Sequence, residues 1–220
     1  PGSDSMTSKN SPAQSRNKPL KRPTQGRAKM TVQAIFDTYV RIWQRDGWER
    51  VTTRAVALEA GVAVGTLYDY FPSKQALHSG YVRHCIERLL QAIEQQAIEP
   101  VGLVWQERVG RLVRLLGGVA GEAAWFHPQM LELEPVIAEQ KHQQRAYTEL
   151  MSIWQRVLEA CPDLPVKPSV SRLEALHLMV WGARRYGLLV QLSGERLAEL
   201  VAEQEQLCLQ VLASLSAGSE

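Results

Sequence analysis

The stretch from Lys29 to Pro72 leaves the chain little freedom in how it folds. Val32, Ile35, Phe36, Tyr39, Val40, Ile42 and Trp43 recur at three-and-four spacing, which places one wide apolar face on a helix. Thr31 is positioned to cap the start of that helix and Gly47 to stop it. Thr52 is a suitable cap for a second, short helix that turns Val56, Ala57 and Ala60 inward, and Gly61 stands where such a helix ends and turns. Val62 would plug the corner. The stretch Val64 to Tyr70 is long enough for a third helix of about two turns, and Pro72 forbids its simple continuation. Three short helices in so short a stretch make a compact module.

Ser73 then opens a fourth, longer helix in which Leu77, Tyr81, Cys85, Ile86, Leu89, Leu90 and Ile93 repeat at helical spacing until Pro100. Further helices are predicted over 101–116, 121–126, 129–160, 169–192 and 195–216. They are separated by Gly117-Gly118, His127-Pro128, the loop from Pro162 to Pro168, and Ser193-Gly194. Pro135 should kink the 129–160 segment or mark its true start. No stretch alternates as a strand would. The predicted class is all-α, with a three-helix helix-turn-helix module at 29–75 and a larger helical domain at 76–216.

A chain of 220 residues, 45% hydrophobic and 22% charged, can bury such a core without staples. Cys85, Cys161 and Cys208 are widely spaced and odd in number, so they offer neither a disulfide framework nor a paired-cysteine metal or redox site. No apolar run spans a bilayer, since even Leu173 to Leu192 is interrupted by Glu174, His177, Arg184 and Arg185. With no apolar signal segment after Met6, the expected location is the cytoplasm. Residues 1–5 read as a tag-cleavage remnant. The net charge of +2 hides an asymmetry: Lys9, Arg16, Lys18, Lys21, Arg22, Arg27 and Lys29 precede Phe36 with no acidic residue among them after Met6. Residues 1–28 are too polar to offset their own ordering entropy and are expected to be a disordered basic arm, either attracted to a polyanion or simply solubilising.

The most informative residues are Thr52-Thr53-Arg54, the turn Ala60-Gly61-Val62, and Gly65-Thr66-Leu67-Tyr68-Asp69-Tyr70-Phe71 followed by Pro72-Ser73-Lys74. Together they resemble the DNA-binding domain of the TetR family, and the resemblance covers about residues 30–90. It implies a repressor that binds double-stranded DNA as a homodimer. A small-molecule effector would bind between the helices of the C-terminal domain, shift the fourth helix and release the operator. In a helix-turn-helix the first residues of the second helix meet base edges in the major groove. Those residues are Ala63, Val64, Gly65 and Thr66, with Arg54 reaching in from the preceding helix and Thr52 and Thr53 beside it. Ala63 stands where family members often carry a polar cap such as serine. Tyr68, Tyr70 and Lys74 are placed to position phosphates rather than read bases, although Tyr70, like Leu67 and Phe71, also suits the core.

Leu197, Leu200, Val201, Leu207, Cys208, Val211, Leu212 and Leu215 form a broad stripe on the last helix. Gly182, Ala183 and Gly187 on the helix before it permit close approach, so two copies could form a four-helix bundle. Trp105, Trp125, Met130, Tyr147, Met151, Trp154 and Trp181 are side chains that could line an apolar effector site, with Arg184 as a polar group near them. Each of the apolar ones also suits an ordinary core. Arg184 and Arg185 need partners, which could be an anionic ligand or Glu132, Glu134, Glu174 or a carboxylate of a second copy. His127 and His177 are not read as metal ligands. No cofactor is expected, and the absence of phosphate-cradling, dinucleotide, nucleophile-elbow and zinc-protease motifs argues against an enzyme. The rival reading is a DNA-bound scaffold that recruits a protein and has no inducer.

Overall fold

The structure, a computed structural model, describes residues 26–120, 124–138 and 140–217; the basic arm lies almost wholly outside these. The described residues form α1 (Gly26–Asp46), a 3-10 turn (Trp48–Arg50), α2 (Thr53–Glu59), α3 (Val64–Tyr70) and α4 (Lys74–Ile93). A π-helical turn (Glu94–Ile98) extends α4. There follow α5 (Trp105–Gly117), α6 (Gln129–Ile137), α7 (Gln140–Glu159), α8 (Val170–Leu189) and α9 (Gly194–Ala217). No strand occurs among the described residues, as the all-α expectation requires. The chain divides into two compact units, one ending at His84 and one beginning at Cys85.

In the first unit the punctuation acts as the sequence indicates. The Thr52 hydroxyl accepts from the Ala55 amide at 3.0 Å, which satisfies one otherwise unpaired donor at the start of α2. Gly61 takes φ +69°, a conformation costly for residues with a Cβ, and so lets the chain turn between α2 and α3. The Ser73 hydroxyl accepts from the Ala76 amide at 3.0 Å and caps α4. Ile35, Phe36, Tyr39, Ile42 and Trp43 on α1 meet Val56, Leu67, Phe71, Leu77 and Tyr81 in a buried core. The start of α1 corrects an expectation: the helix already runs at Gly26, so Thr31 lies within it and its hydroxyl donates to the Arg27 carbonyl instead of capping.

The second unit is built around Trp154, fully buried, with Leu112, Leu116, Leu150, Val157, Val180 and Leu212 around it. Asp163 accepts from the Trp105 amide at 3.0 Å, so an acid from the loop after α7 caps the positive end of α5. Three helix predictions need correction. The helix expected over 101–116 begins only at Trp105, with Val104 extended before it. Residues 124–126 are not helical, and 121–123 lie outside the described residues; His127 precedes Pro128 and is itself disfavoured in the helical region, so no helix runs from this stretch into α6. The segment 129–160 is two helices: α6 runs through Pro135 to Ile137, Ala138 is extended, and α7 begins at Gln140. Pro135 cannot donate to the preceding turn, and the helix ends soon after it instead of bending there.

Candidate nucleic-acid interface and effector site

On the face formed by α2 and α3, short side chains leave the backbone accessible. Ala63 precedes α3 without a side-chain cap, as its methyl group dictates, so the first amides of α3 stay unpaired by side chains. Ala63 and Gly65 are exposed, Val64 and Thr66 half-buried. Nothing lies within 4 Å of a Cβ built on Gly65, so the opening of α3 is unobstructed. Arg54 is exposed and makes no ion pair or hydrogen bond among the described residues, whereas Arg41 and Arg45 are held by Glu59. Thr53 is 9% exposed, and its hydroxyl donates to the Tyr68 hydroxyl at 3.2 Å. That bond ties α2 to α3 and holds the Tyr68 ring, itself 44% exposed, at the surface.

Two residues of the predicted set are placed differently from the rest. Tyr70 is 7% exposed and packs on Phe71 at 6.2 Å between ring centroids, which puts its ring in the core. The Lys74 ammonium donates to the Trp48 carbonyl at 2.6 Å and lies 3.8 Å from the centroid of the Trp48 ring. Partial burial pulls its pKa below the usual lysine value, with Glu49 acting weakly the other way. Sequence reasoning missed the group beneath these contacts. His78 is 2% exposed, shares a 2.8 Å hydrogen bond with the Tyr39 hydroxyl, and sits between the rings of Tyr39, Trp43 and Trp48. Its other ring nitrogen is buried without a partner. A histidine one residue after Leu77, on the inward face of α4, was the available signal.

In the second unit the structure brings some of the predicted effector residues together and separates others. Trp105, Met151 and Trp154 lie in the main core, with Tyr147 and Trp181 packed against it. Tyr147, His177 and Trp181 form a row of rings, with centroids 5.6 and 6.5 Å apart and the last pair nearly parallel. Arg184 extends that row at 5.4 Å from the Trp181 ring. His177 is fully buried, neither ring nitrogen has a partner, and burial lowers its pKa. Met130, fully buried, and Trp125, half-buried, stand outside the main core cluster. An open depression of about 400 Å³ lined by His127, Pro128, Gln129, Glu132, Gln191 and Leu192 contains none of the eight predicted residues. The arginines differ sharply in pairing: Arg185 is taken by Glu134, Glu174 accepts from the Tyr147 hydroxyl at 2.8 Å, and Arg184 has no carboxylate partner among the described residues.

The stripe on the last helix divides. Val201, Cys208 and Leu212 are buried within the chain, and a Cβ on Gly117 would stand 2.4 Å from Val201. Gly187 likewise faces Leu197. The large apolar side chains left exposed on these helices are Val170, Leu178, Tyr186 and Leu189 on α8, Val190 at its end, and Leu207 on α9. Cys161 and Cys208 are buried, and burial pushes their thiols up to about 11 and about 12, so both are inert as nucleophiles at neutral pH. Cys85 is half-buried. Among the described residues no group of His, Cys, Asp or Glu could hold a metal, and no helix is long and apolar enough to cross a membrane.

Residues 27–79 match the family described as bacterial regulatory proteins, tetR family. The chain is 42% identical over 64 residues to the HTH-type transcriptional repressor KstR of Mycolicibacterium smegmatis, a match covering 29% of this chain and 31% of that protein. To the repressor of the same name from Mycobacterium tuberculosis it is 58% identical over 40 residues, 18% of each chain. These matches therefore span less than a third of the relatives they meet. Among solved structures, a putative transcriptional regulator from Pseudomonas aeruginosa PAO1 is similar in fold, with TM-score 0.57, 14% identity, and coverage of 87% of this chain and 92% of the other.

Proposed function

We propose, from the premise that this chain is a TetR-family protein by its DNA-binding domain, that it is a homodimeric transcriptional repressor released from a palindromic operator by a small, largely apolar effector. The observation that carries the DNA-binding part is the free, exposed Arg54 beside the unobstructed start of α3, at Ala63, Gly65 and Thr66. An arginine guanidinium can donate two parallel bonds to guanine O6 and N7, and the small residues admit the groove edge to the backbone amides. Tyr68, fixed from below by Thr53, is positioned for phosphate and carries no sequence information. The exposed Leu178, Tyr186 and Leu189, which share one face of α8, and Leu207 on α9 support dimerisation, since large apolar side chains grouped on a surface mark interaction sites. Nothing in this role requires a catalytic group, and we assign none.

The test begins with selection of sheared genomic DNA by the full chain and sequencing of the retained fragments. A shared palindrome is the expected recovery. On a duplex carrying it, Arg54→Ala should lose about 1 to 3 kcal/mol of affinity for the operator and little for a scrambled duplex. Tyr68→Phe should weaken both equally. Fluorescence anisotropy at fixed salt reads these differences. Retained fragments without a common sequence, or an Arg54→Ala protein with undiminished operator preference, would remove specific repression through this face.

A further inference from the structure

Among the described residues two partly or fully buried arginines of the second unit have no acid beside them: Arg108, whose two terminal nitrogens are taken by three main-chain carbonyls, and Arg184, which makes a single hydrogen bond. Nη1 of the Arg184 guanidinium donates to the Leu116 carbonyl at 3.1 Å, near the carboxyl end of α5. One of its faces lies against the backbone of Gly118: a Cβ there would stand 2.9 Å from both Cζ and Nε and 3.0 Å from Nη2. Gly118 has φ +78° and ends α5 in the left-handed region, so glycine serves both the turn and the approach. The Trp181 ring lies 5.4 Å from Cζ. Of the acids that the sequence offered, Glu134 is taken by Arg185 and Glu174 by Tyr147, and Glu132 is exposed on the rim of the depression beside His127; Glu205 pairs with Arg114 at 2.5 Å. Burial pulls the Arg184 pKa below the usual arginine value, and only the Cys85 thiol opposes it.

The Nε and Nη2 donors of this guanidinium make no hydrogen bond among the described residues, and neither is sealed from solvent. Those two N–H groups point the same way and match the two oxygens of one carboxylate. Beside them stand the flat, apolar indole ring of Trp181 and a glycine that carries no side chain to fill the space. We infer that Arg184 anchors the carboxylate of the effector, an organic monocarboxylic acid whose apolar body lies against Trp181. This rests on the effector-responsive reading above and gives it a chemical class. The row Tyr147–His177–Trp181–Arg184 supplies a second, independent sign that this part of the unit is not a finished core. His177, one turn before Trp181 on α8, is fully buried with both ring nitrogens unpartnered, a cost a purely structural core avoids. The competing role for Arg184 is a cap on the carboxyl end of α5, which would give it no preference among ligands.

Isothermal titration of the full chain, without DNA, with octanoate, decanoate, 4-phenylbutyrate and 1-naphthoate, each beside the corresponding alcohol, separates the two roles. At least one acid should bind about ten- to a hundred-fold more tightly than its alcohol, the range expected of hydrogen bonds to a charged group. Arg184→Gln should abolish that preference and Arg185→Gln should keep it. Should Arg184→Gln fail to fold by circular dichroism, Arg184→Lys should reduce the preference several-fold, because the ammonium keeps the charge and loses the two-pronged geometry. Equal binding of acid and alcohol, an undiminished preference in the Arg184 variants, or no binding by any of the four acids overturns the inference. Operator binding measured on the same protein stays intact in those outcomes if the regulator reading holds, and is absent if that reading is the one that fails.

Discussion

Arg108→Met is expected to lower the unfolding free energy by about 2 to 4 kcal/mol, the cost of leaving carbonyl acceptors without the charged donor that pairs them. Arg108 is 6% exposed and donates from Nη1 to the Ala97 and Ile98 carbonyls, both at 2.8 Å, and from Nη2 to the Pro100 carbonyl at 2.6 Å. These carbonyls end the π-helical turn after α4, where the chain has no further amides to offer them. Methionine fills similar space but donates nothing, and each buried carbonyl left unpaired is itself costly. Urea unfolding followed by far-ultraviolet circular dichroism gives the difference. A loss below about 1 kcal/mol would mean that water replaces the guanidinium and that the turn does not depend on it.

Acidification should destabilise the first unit through His78. Burial, with a smaller contribution from the Lys74 ammonium, holds its pKa down at about 4 against an ordinary 6.5. Above pH 6.5 the imidazole is neutral in both folded and unfolded chains and contributes no pH dependence. Between 6.5 and about 4 the unfolded chain binds a proton that the folded one refuses, so stability falls as pH falls, by about 3 kcal/mol in all. Below about 4 both states are protonated and this contribution levels off. His177 shifts in the same direction for the same reason, so a single wild-type curve does not isolate His78. The difference between wild type and His78→Gln does: it should be flat above pH 7 and change by about 3 kcal/mol between pH 6.5 and 4. Parallel curves across that range would show that the imidazole is hydrated in the folded protein.

Both groups lie outside what the sequence alone singled out, for a shared physical reason. Arg108 stands on the apolar stripe of α5 with Trp105, Val109, Leu112 and Leu116, and that anomaly was visible. Its partners were not, because they are main-chain carbonyls of a turn whose geometry no side chain encodes. His78 follows Leu77 on the inward face of α4, yet its meaning depends on Tyr39 from α1 and Trp48 from the 3-10 turn. The apolar stripe on α9 shows a related limit. Periodicity marked Val201, Leu207, Cys208 and Leu212 as one face, whereas Val201, Cys208 and Leu212 are buried within the chain and Leu207 is exposed.

The arginine pair on α8 shows the point at its finest scale. Adjacent in sequence and identical in type, Arg184 and Arg185 point about 100° apart around the helix, so one reaches Glu134 and the other reaches Leu116 and Trp181.

What the sequence determined by itself was whatever acts over a few residues. The caps at Thr52 and Ser73, the turn at Gly61 and the apolar faces all follow from side-chain chemistry and helical period. What only the tertiary structure decided was pairing. Which acid neutralises which arginine, which tyrosine reaches the surface and which helix face stays bare depend on distances between elements far apart in the chain. Desolvation and hydrogen bonding act through those distances, and no local pattern contains them.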